Sequence, residues 1–182
     1  MSNNRIKLFK VFRILAAVCA ACCGLFMLTA LVTFGPMLFI KGNLTVEAGG
    51  LLGFFIDVIK EGENPIKSSD LVLSVLPRFS ALLLLFVFFL KAALSLKRAE
   101  REEEAHFPSA KKSLRSLAVI SFLLVLIPSV LTRVAQNIVS PFFFNITGTD
   151  RTGWLILGLA LLFFSFLVPE KSNNNNSAEE QI

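Results

Sequence analysis

Two arginines lie in stretches of sequence that are otherwise strongly apolar. Arg78 precedes an uncharged run, Phe79 to Leu90, and Arg133 ends the apolar stretch that begins near Leu117. A guanidinium inside an apolar helix costs about 3 kcal/mol or more unless it reaches water, lipid phosphate or an anion. Leu117 and Arg133 are separated by about 24 Å of helix. If this helix crosses a membrane, Arg133 lies near the outer boundary, and Arg78, at the start of the preceding apolar run, enters at a similar level.

Two interpretations of this pair follow from the same chemistry. Like charges at one depth repel unless water, a carboxylate or an anionic ligand lies between them. Arg78 and Arg133 are therefore candidate outer-leaflet contacts for an anion or a lipid head group, with Asp70 or Asp150 as partners. The alternative is that each side chain reaches the lipid phosphates separately, as arginines at the ends of spans commonly do.

Other reactive side chains are few and do not form a recognisable catalytic pattern. His106 is the only histidine, and the three cysteines, Cys19, Cys22 and Cys23, all lie in the first apolar stretch. The sequence contains no glycine-rich phosphate loop, no metal-ligand spacing and no nucleophile elbow. We therefore predict no catalytic residues, no metal site and no cofactor, and a protein that is not an enzyme.

The amino-acid composition indicates whether the chain lies in water or in a lipid bilayer. Hydrophobic residues make up 54% and charged residues only 17% of the 182 residues, with a mean hydropathy of +0.70. A soluble domain of this length has a charged fraction nearer one quarter, so the sequence predicts an integral membrane protein. The net charge is +5, and most of the positive residues lie beside apolar runs. The positive-inside rule and the attraction of anionic lipid head groups account for cations at such positions, so we predict no nucleic-acid partner.

The apolar runs predict an all-α membrane protein, a four-transmembrane-helix bundle with a longer first extracytoplasmic loop. The predicted segments are a basic arm (1–13), the first span (14–40), an outer loop with an apolar interfacial segment (41–70), the second span (71–96), a charged loop (97–113), the third span (114–139), a second outer loop (140–152), the fourth span (153–169) and a disordered tail (170–182).

The distribution of lysine and arginine predicts the orientation. Arg5, Lys7, Lys10 and Arg13 precede the first span, and the charged loop 97–113 with its flanks carries six further cations. The two outer loops together carry fewer cations over a greater length. By the positive-inside rule, the arm and the charged loop lie in the cytoplasm, and four spans return the C-terminus to the same side.

The charged loop is also the candidate docking surface for a soluble partner. Its mixed charges are alternatively a solvated helical extension of the second span. The candidate docking residues are Arg98, Arg101, Glu103, Lys111, Lys112 and Arg115.

The start of the third span carries a resemblance to a known family. His106-Phe107-Pro108-Ser109, followed by Lys111 to Ala118 with the sequence KKSLRSLA, resembles the loop of an uncharacterised family of bacterial four-span integral membrane proteins. Members of that family are often encoded beside a small helix-turn-helix regulator. The resemblance implies a bacterial inner-membrane location and a regulatory membrane partner, and it implies no catalytic residues.

Two functions are compatible with these observations. The first is a non-enzymatic membrane protein that acts through protein contacts, with a soluble regulator bound at the cytoplasmic loop. The second is a small oligomeric transporter or permeability protein for an anionic or lipid-like ligand, for which Arg78 and Arg133 attract the ligand. A homo-oligomer is expected for the second, because four short spans leave little room for a cavity in one protomer.

Overall fold

The computed structural model describes residues 2–39, 43–44, 57–58, 66–101, 108–138, 144–145 and 152–168. Most of these residues form four helices: α1 (Ser2–Phe34), α2 (Ser68–Arg101), α3 (Pro108–Ile138) and α4 (Thr152–Leu167). Three of the helices contain apolar stretches long enough to cross a bilayer, namely Lys7–Phe34, Val72–Arg98 and Ala110–Ile138, and α4 is a shorter apolar helix. The predictions of a helical fold and of a multi-pass membrane protein are confirmed.

The end of α1 shows why these residues form separate elements. Gly35 follows α1, and its N–H donates to the carbonyl of Leu31 at 2.8 Å. A Cβ at Gly35 would clash with that same oxygen, so a larger residue could not make this turn without displacing the backbone. Pro36 then begins a 3-10 helix, Pro36–Phe39. The Gly-Pro pair therefore ends the first long helix, within the segment 14–40 that the sequence assigns to the first span.

Among the described residues, four two-residue strands lie in the segments outside the helices. Strand β1 (Asn43–Leu44) pairs antiparallel with β3 (Ile66–Lys67), and β2 (Asp57–Val58) pairs antiparallel with β4 (Phe144–Asn145). The second pair joins the connection between α1 and α2 to the connection between α3 and α4. Both connections consequently lie at one end of the helices, called here the strand end. Apart from Asp57–Val58, the predicted apolar interfacial segment lies outside the described residues.

The helices pack as chain neighbours. Extensive contacts among the described helices join α1 to α2, α2 to α3, and α3 to α4. α1 meets α2 at Gly24, where an added Cβ would be in ordinary van der Waals contact with the Phe86 ring, at 3.5 Å. Neighbouring helices run antiparallel, so the start of α1, the end of α2, the start of α3 and the end of α4 share the second end of the molecule. We call this the basic end.

An aromatic and aliphatic cluster holds α2, α3 and α4 together. Phe88 of α2 packs with Leu117 and Ile120 of α3, and Trp154 and Leu161 of α4 pack against this cluster. The Phe88 and Trp154 rings meet edge to face, with centroids 5.4 Å apart. Such pairs contribute about 1 kcal/mol beyond the area that they bury. The cluster therefore attaches the short α4 to the hairpin formed by α2 and α3.

The strand-end terminus of α4 falls well short of the corresponding end of α3. Gly158 lies against Ser121 and Phe122, which fixes the relative height of the two helices. From Phe122 to the end of α3 at Ile138 is about 24 Å of helix, whereas from Gly158 back to the start of α4 at Thr152 is only about 9 Å. The strand-end part of α3, over roughly 15 Å, consequently extends beyond α4.

Candidate functional site

The two arginines predicted to contact an anion or lipid head group lie towards the strand end. Lys91 of α2 donates to the Ser116 hydroxyl of α3 at 2.7 Å, and this bond gives a common reference height. Along the helices, Arg78 is about 20 Å and Arg133 about 26 Å from it. The two residues therefore differ by only about one helical turn in height.

The surroundings of the two arginines differ. Arg78 is half-buried and follows the fully buried Pro77, whereas Arg133 is exposed and follows the buried Thr132. The Ser80 hydroxyl donates to the Pro77 carbonyl, and the Thr132 hydroxyl donates to the Pro128 carbonyl, both at 2.7 Å. Each hydroxyl therefore finds its acceptor within its own helix, one turn earlier in the chain. A single pocket shared by both guanidinium groups stays a prediction.

The predicted docking residues gather at the basic end, where α2 ends and α3 begins. Arg98, Lys112 and Arg115 are exposed there, and Lys111 is half-buried. Lys97, which is not one of the predicted docking residues, is exposed beside them. Arg101 is the last residue of α2, and Glu103 lies outside the described residues. Because the hairpin is antiparallel, it brings together cations separated by more than ten positions in the chain.

Arg115 has a second contact at the basic end. Its guanidinium lies over the Phe166 ring of α4, 5.5 Å from the centroid. A cation over an aromatic face is worth about 0.5–1 kcal/mol at an exposed position. The contact connects α3 to the last turn of α4 and holds one cation of the basic end in a defined position.

Polar groups in the packed interior are used for structure. The hydroxyl of Ser121 donates to the Leu117 carbonyl at 3.0 Å, and that of Ser165 donates to the Leu162 carbonyl at 2.6 Å. Among the described residues, every buried side-chain nitrogen or oxygen has a partner, and no three His, Cys, Asp or Glu side chains are grouped so as to hold a metal ion.

Sequence patterns did not predict the apolar groove that the structure places between α1 and α2, towards the strand end. Its volume is about 160 Å³. The residues that line it are Ala30, Leu31, Phe34, Gly35, Val72, Val75, Leu76 and Phe79. A groove forms only where the faces of two helices meet, and the sequence does not show which faces do so. The small residues Ala30 and Gly35 are the only feature of the sequence that indicates open space here.

No family model, curated protein or solved structure matches this chain. The resemblance to the bacterial four-span family stays a prediction, as does the bacterial inner membrane. The physical features of the described helices are therefore the basis for assigning a function.

Proposed function

We propose that this chain is a four-span integral membrane protein without enzymatic activity, which acts by binding a soluble regulatory partner at its basic end. The observation that supports this proposal is the cluster of cations at the α2–α3 hairpin. Lys97, Arg98 and Lys112 are exposed there, and Arg115 is held over Phe166. Such a surface favours an acidic partner, because opposite charges accelerate encounter and exclude cationic competitors.

In this proposal the short α4 is the fourth crossing, and the basic end faces the cytoplasm. α4 is about 24 Å long, whereas the hydrocarbon core is about 30 Å thick. Local thinning of the bilayer or residues next to the helix would make up the difference. The exposed cations then lie on the side that the positive-inside rule favours, which is the cytoplasmic face of a cell membrane.

The test removes charge from the basic end of the tagged, full-length protein in its native membrane. The triple variant Lys97→Gln, Arg98→Gln and Lys112→Gln alters exposed side chains only, so the helices should still pack. After crosslinking, we expect the yield of a soluble acidic partner to fall by about tenfold, as expected for the loss of three exposed ion pairs.

The control is Arg133→Gln, which removes an exposed cation at the opposite end of α3 and should leave the partner's yield unchanged. Equal recovery of all partners by the wild type, the triple variant and the control would exclude the basic end as the docking surface. An equal loss in the triple variant and the control would indicate a general charge effect and would also contradict the proposal.

A second candidate function is a small oligomeric transporter or permeability protein for an anionic or lipid-like ligand. The half-buried Arg78 within an apolar span favours it, because intramembrane cations commonly mark ligand pathways. The test is anion flux into liposomes that contain the purified protein. Flux that the double variant Arg78→Gln and Arg133→Gln abolishes would support transport, whereas no flux above that of protein-free liposomes would exclude it.

A further inference from the structure

We infer that the groove between α1 and α2 is a binding site for one acyl chain of a membrane phospholipid, which remains bound when the surrounding bilayer lipid exchanges. The inference is independent of the docking proposal and requires no transport. It rests on the lining of the groove, on its size and on the surface into which it opens.

The chemistry of the lining selects an apolar occupant. Seven of the eight lining residues contribute alkyl or aromatic side chains, and the eighth is Gly35. Ala30, Phe34 and Val75 are buried at 2%, 5% and 5% exposure and form the packed base of the groove. A polar ligand would lose its hydration there without gaining hydrogen bonds from side chains, which costs several kcal/mol for each buried polar group.

The size of the groove fits a segment of hydrocarbon chain. An apolar cavity of about 150 Å³ in another protein stays dry and binds benzene, and the groove has about 160 Å³. It is therefore large enough for several methylene groups. Each methylene removed from water contributes about 0.8 kcal/mol, but transfer from the bilayer contributes less, because there the benefit comes from close packing against fixed side chains.

The groove is continuous with the surface that faces lipid. Leu31 and Leu76 line it and remain 56% and 40% exposed, and Val32, next to Leu31 on α1, is 69% exposed. Both walls belong to helices that are long and apolar enough to cross a membrane. The opening therefore lies on the apolar surface at the strand end of these helices, at the level of Arg78, where phospholipid acyl chains next to their head groups are the abundant apolar ligand.

The end of α1 bounds the groove. α1 ends at Phe34, and Phe34 and Gly35 are the last residues on this side that line the groove. The chain then continues as the 3-10 helix Pro36–Phe39, which also lies beside α2. α2 extends beyond the groove to its first residue, Ser68.

The test uses tryptophan fluorescence, because Trp154 is the only tryptophan. In a Trp154→Phe background, Leu76→Trp places the probe in the groove and Val32→Trp places it on the open lipid-facing surface. Relative to the Gly24–Phe86 contact, both probes lie about 12–15 Å towards the strand end, so their depths match. Each full-length variant is reconstituted with phospholipid brominated on its acyl chains and then transferred into non-brominated detergent.

We expect both probes to be quenched in the brominated membrane. After transfer, the Leu76→Trp probe should keep at least about half of its quenching, because a bound chain leaves slowly, whereas the Val32→Trp probe should lose nearly all of it. If Leu76→Trp disturbs folding, Leu31→Trp provides a second groove probe on a more exposed position.

Loss of quenching from both kinds of probe would overturn the inference, because the groove would then hold only exchanging bilayer lipid. A groove probe that is not quenched even in the brominated membrane, together with a crosslinked dimer, would also overturn it and would assign the groove to a second copy of the chain. Neither result depends on the soluble partner or on anion flux.

Discussion

Two glycines of α4, Gly158 and Gly153, differ in the space around them. A Cβ at Gly158 would lie 3.1 Å from the Phe122 ring and 3.2 Å from the Cβ of Ser121, whereas a Cβ at Gly153 would meet no atom within 4 Å. Small residues in membrane helices allow backbones to approach closely, and the resulting van der Waals packing replaces the hydrophobic effect that operates in water. The packing of α4 on α3 therefore depends on the absence of a side chain at position 158.

We expect Gly158→Leu to destabilise the protein by about 1–3 kcal/mol, because an inserted side chain forces the two helices apart. The measurement is unfolding of the purified protein in mixed micelles, followed by the fluorescence of Trp154. Gly153→Leu is the matched control and should change stability by less than about 0.5 kcal/mol. Equal stability of the two variants would show that the α3–α4 contact is looser than the structure indicates.

In the four-span arrangement that we propose, α4 determines how the molecule fits a bilayer. It has 16 residues, about 24 Å, and its aromatic contact with α2 and its Arg115–Phe166 contact with α3 tie it to helices that are about 46–51 Å long. The longer helices can tilt or extend into water. α4 is too short for either adjustment, so the thickness of the membrane acts mainly on this helix.

We therefore expect the protein to be more stable in thin bilayers of dimyristoleoyl lipid than in thick bilayers of dierucoyl lipid, by fractions of a kcal/mol for each ångström of mismatch. The fraction unfolded at a fixed denaturant concentration would be compared in the two kinds of vesicle. Gly158→Leu provides the control, because a variant in which α4 has already separated from α3 should respond less to thickness. A higher stability in the thick bilayer would contradict this account of α4.

At the scale of the whole molecule, the described helices leave large apolar surfaces uncovered. Leu28 and Phe163 are examples, exposed at 60% and 62%, and among the described helices α1 makes its extensive contacts with α2. Water would disfavour such a surface, but acyl chains are as apolar as leucine. The arrangement is therefore one that a bilayer stabilises, and it leaves lipid-facing surface on which a second copy could pack, as the predicted homo-oligomer requires.

The third prediction concerns the membrane topology of the chain. In a background with Cys19, Cys22 and Cys23 replaced by alanine, single cysteines are placed by Asn43→Cys, Lys112→Cys and Ser177→Cys. We expect a membrane-impermeant maleimide to label position 43 in intact cells, and to label positions 112 and 177 only after permeabilisation, as the positive-inside rule implies.

The cysteine at position 177, in the C-terminal tail, distinguishes a protein with three spans from one with four. Labelling of position 177 from outside, with position 112 protected, would mean that α4 does not cross the membrane. The reverse pattern at positions 43 and 112 would contradict the orientation itself. Protein solubilised in detergent serves as the control, because all three cysteines should react there.

The sequence by itself determined the membrane class and the number of helices. Long uncharged runs must be helical in hydrocarbon, because each backbone polar group needs a partner that only a helix supplies within one segment. The Gly35-Pro36 pair likewise determined where α1 ends, because its steric requirements are local. The mixed charges also indicate a helical extension of the second span; α2 continues to Arg101, and the rest of the charged run lies outside the described residues.

Tertiary structure alone decided which faces meet. The cations of α2 and α3 become one basic end through the antiparallel hairpin, and the apolar groove exists only because Ala30 and Phe34 of α1 lie against Val75 of α2. Nearly every residue of these spans is apolar, so hydropathy cannot distinguish a helix-facing side from a lipid-facing side. Close packing distinguishes them, as at Gly158, and it depends on shapes contributed by residues far apart in the sequence.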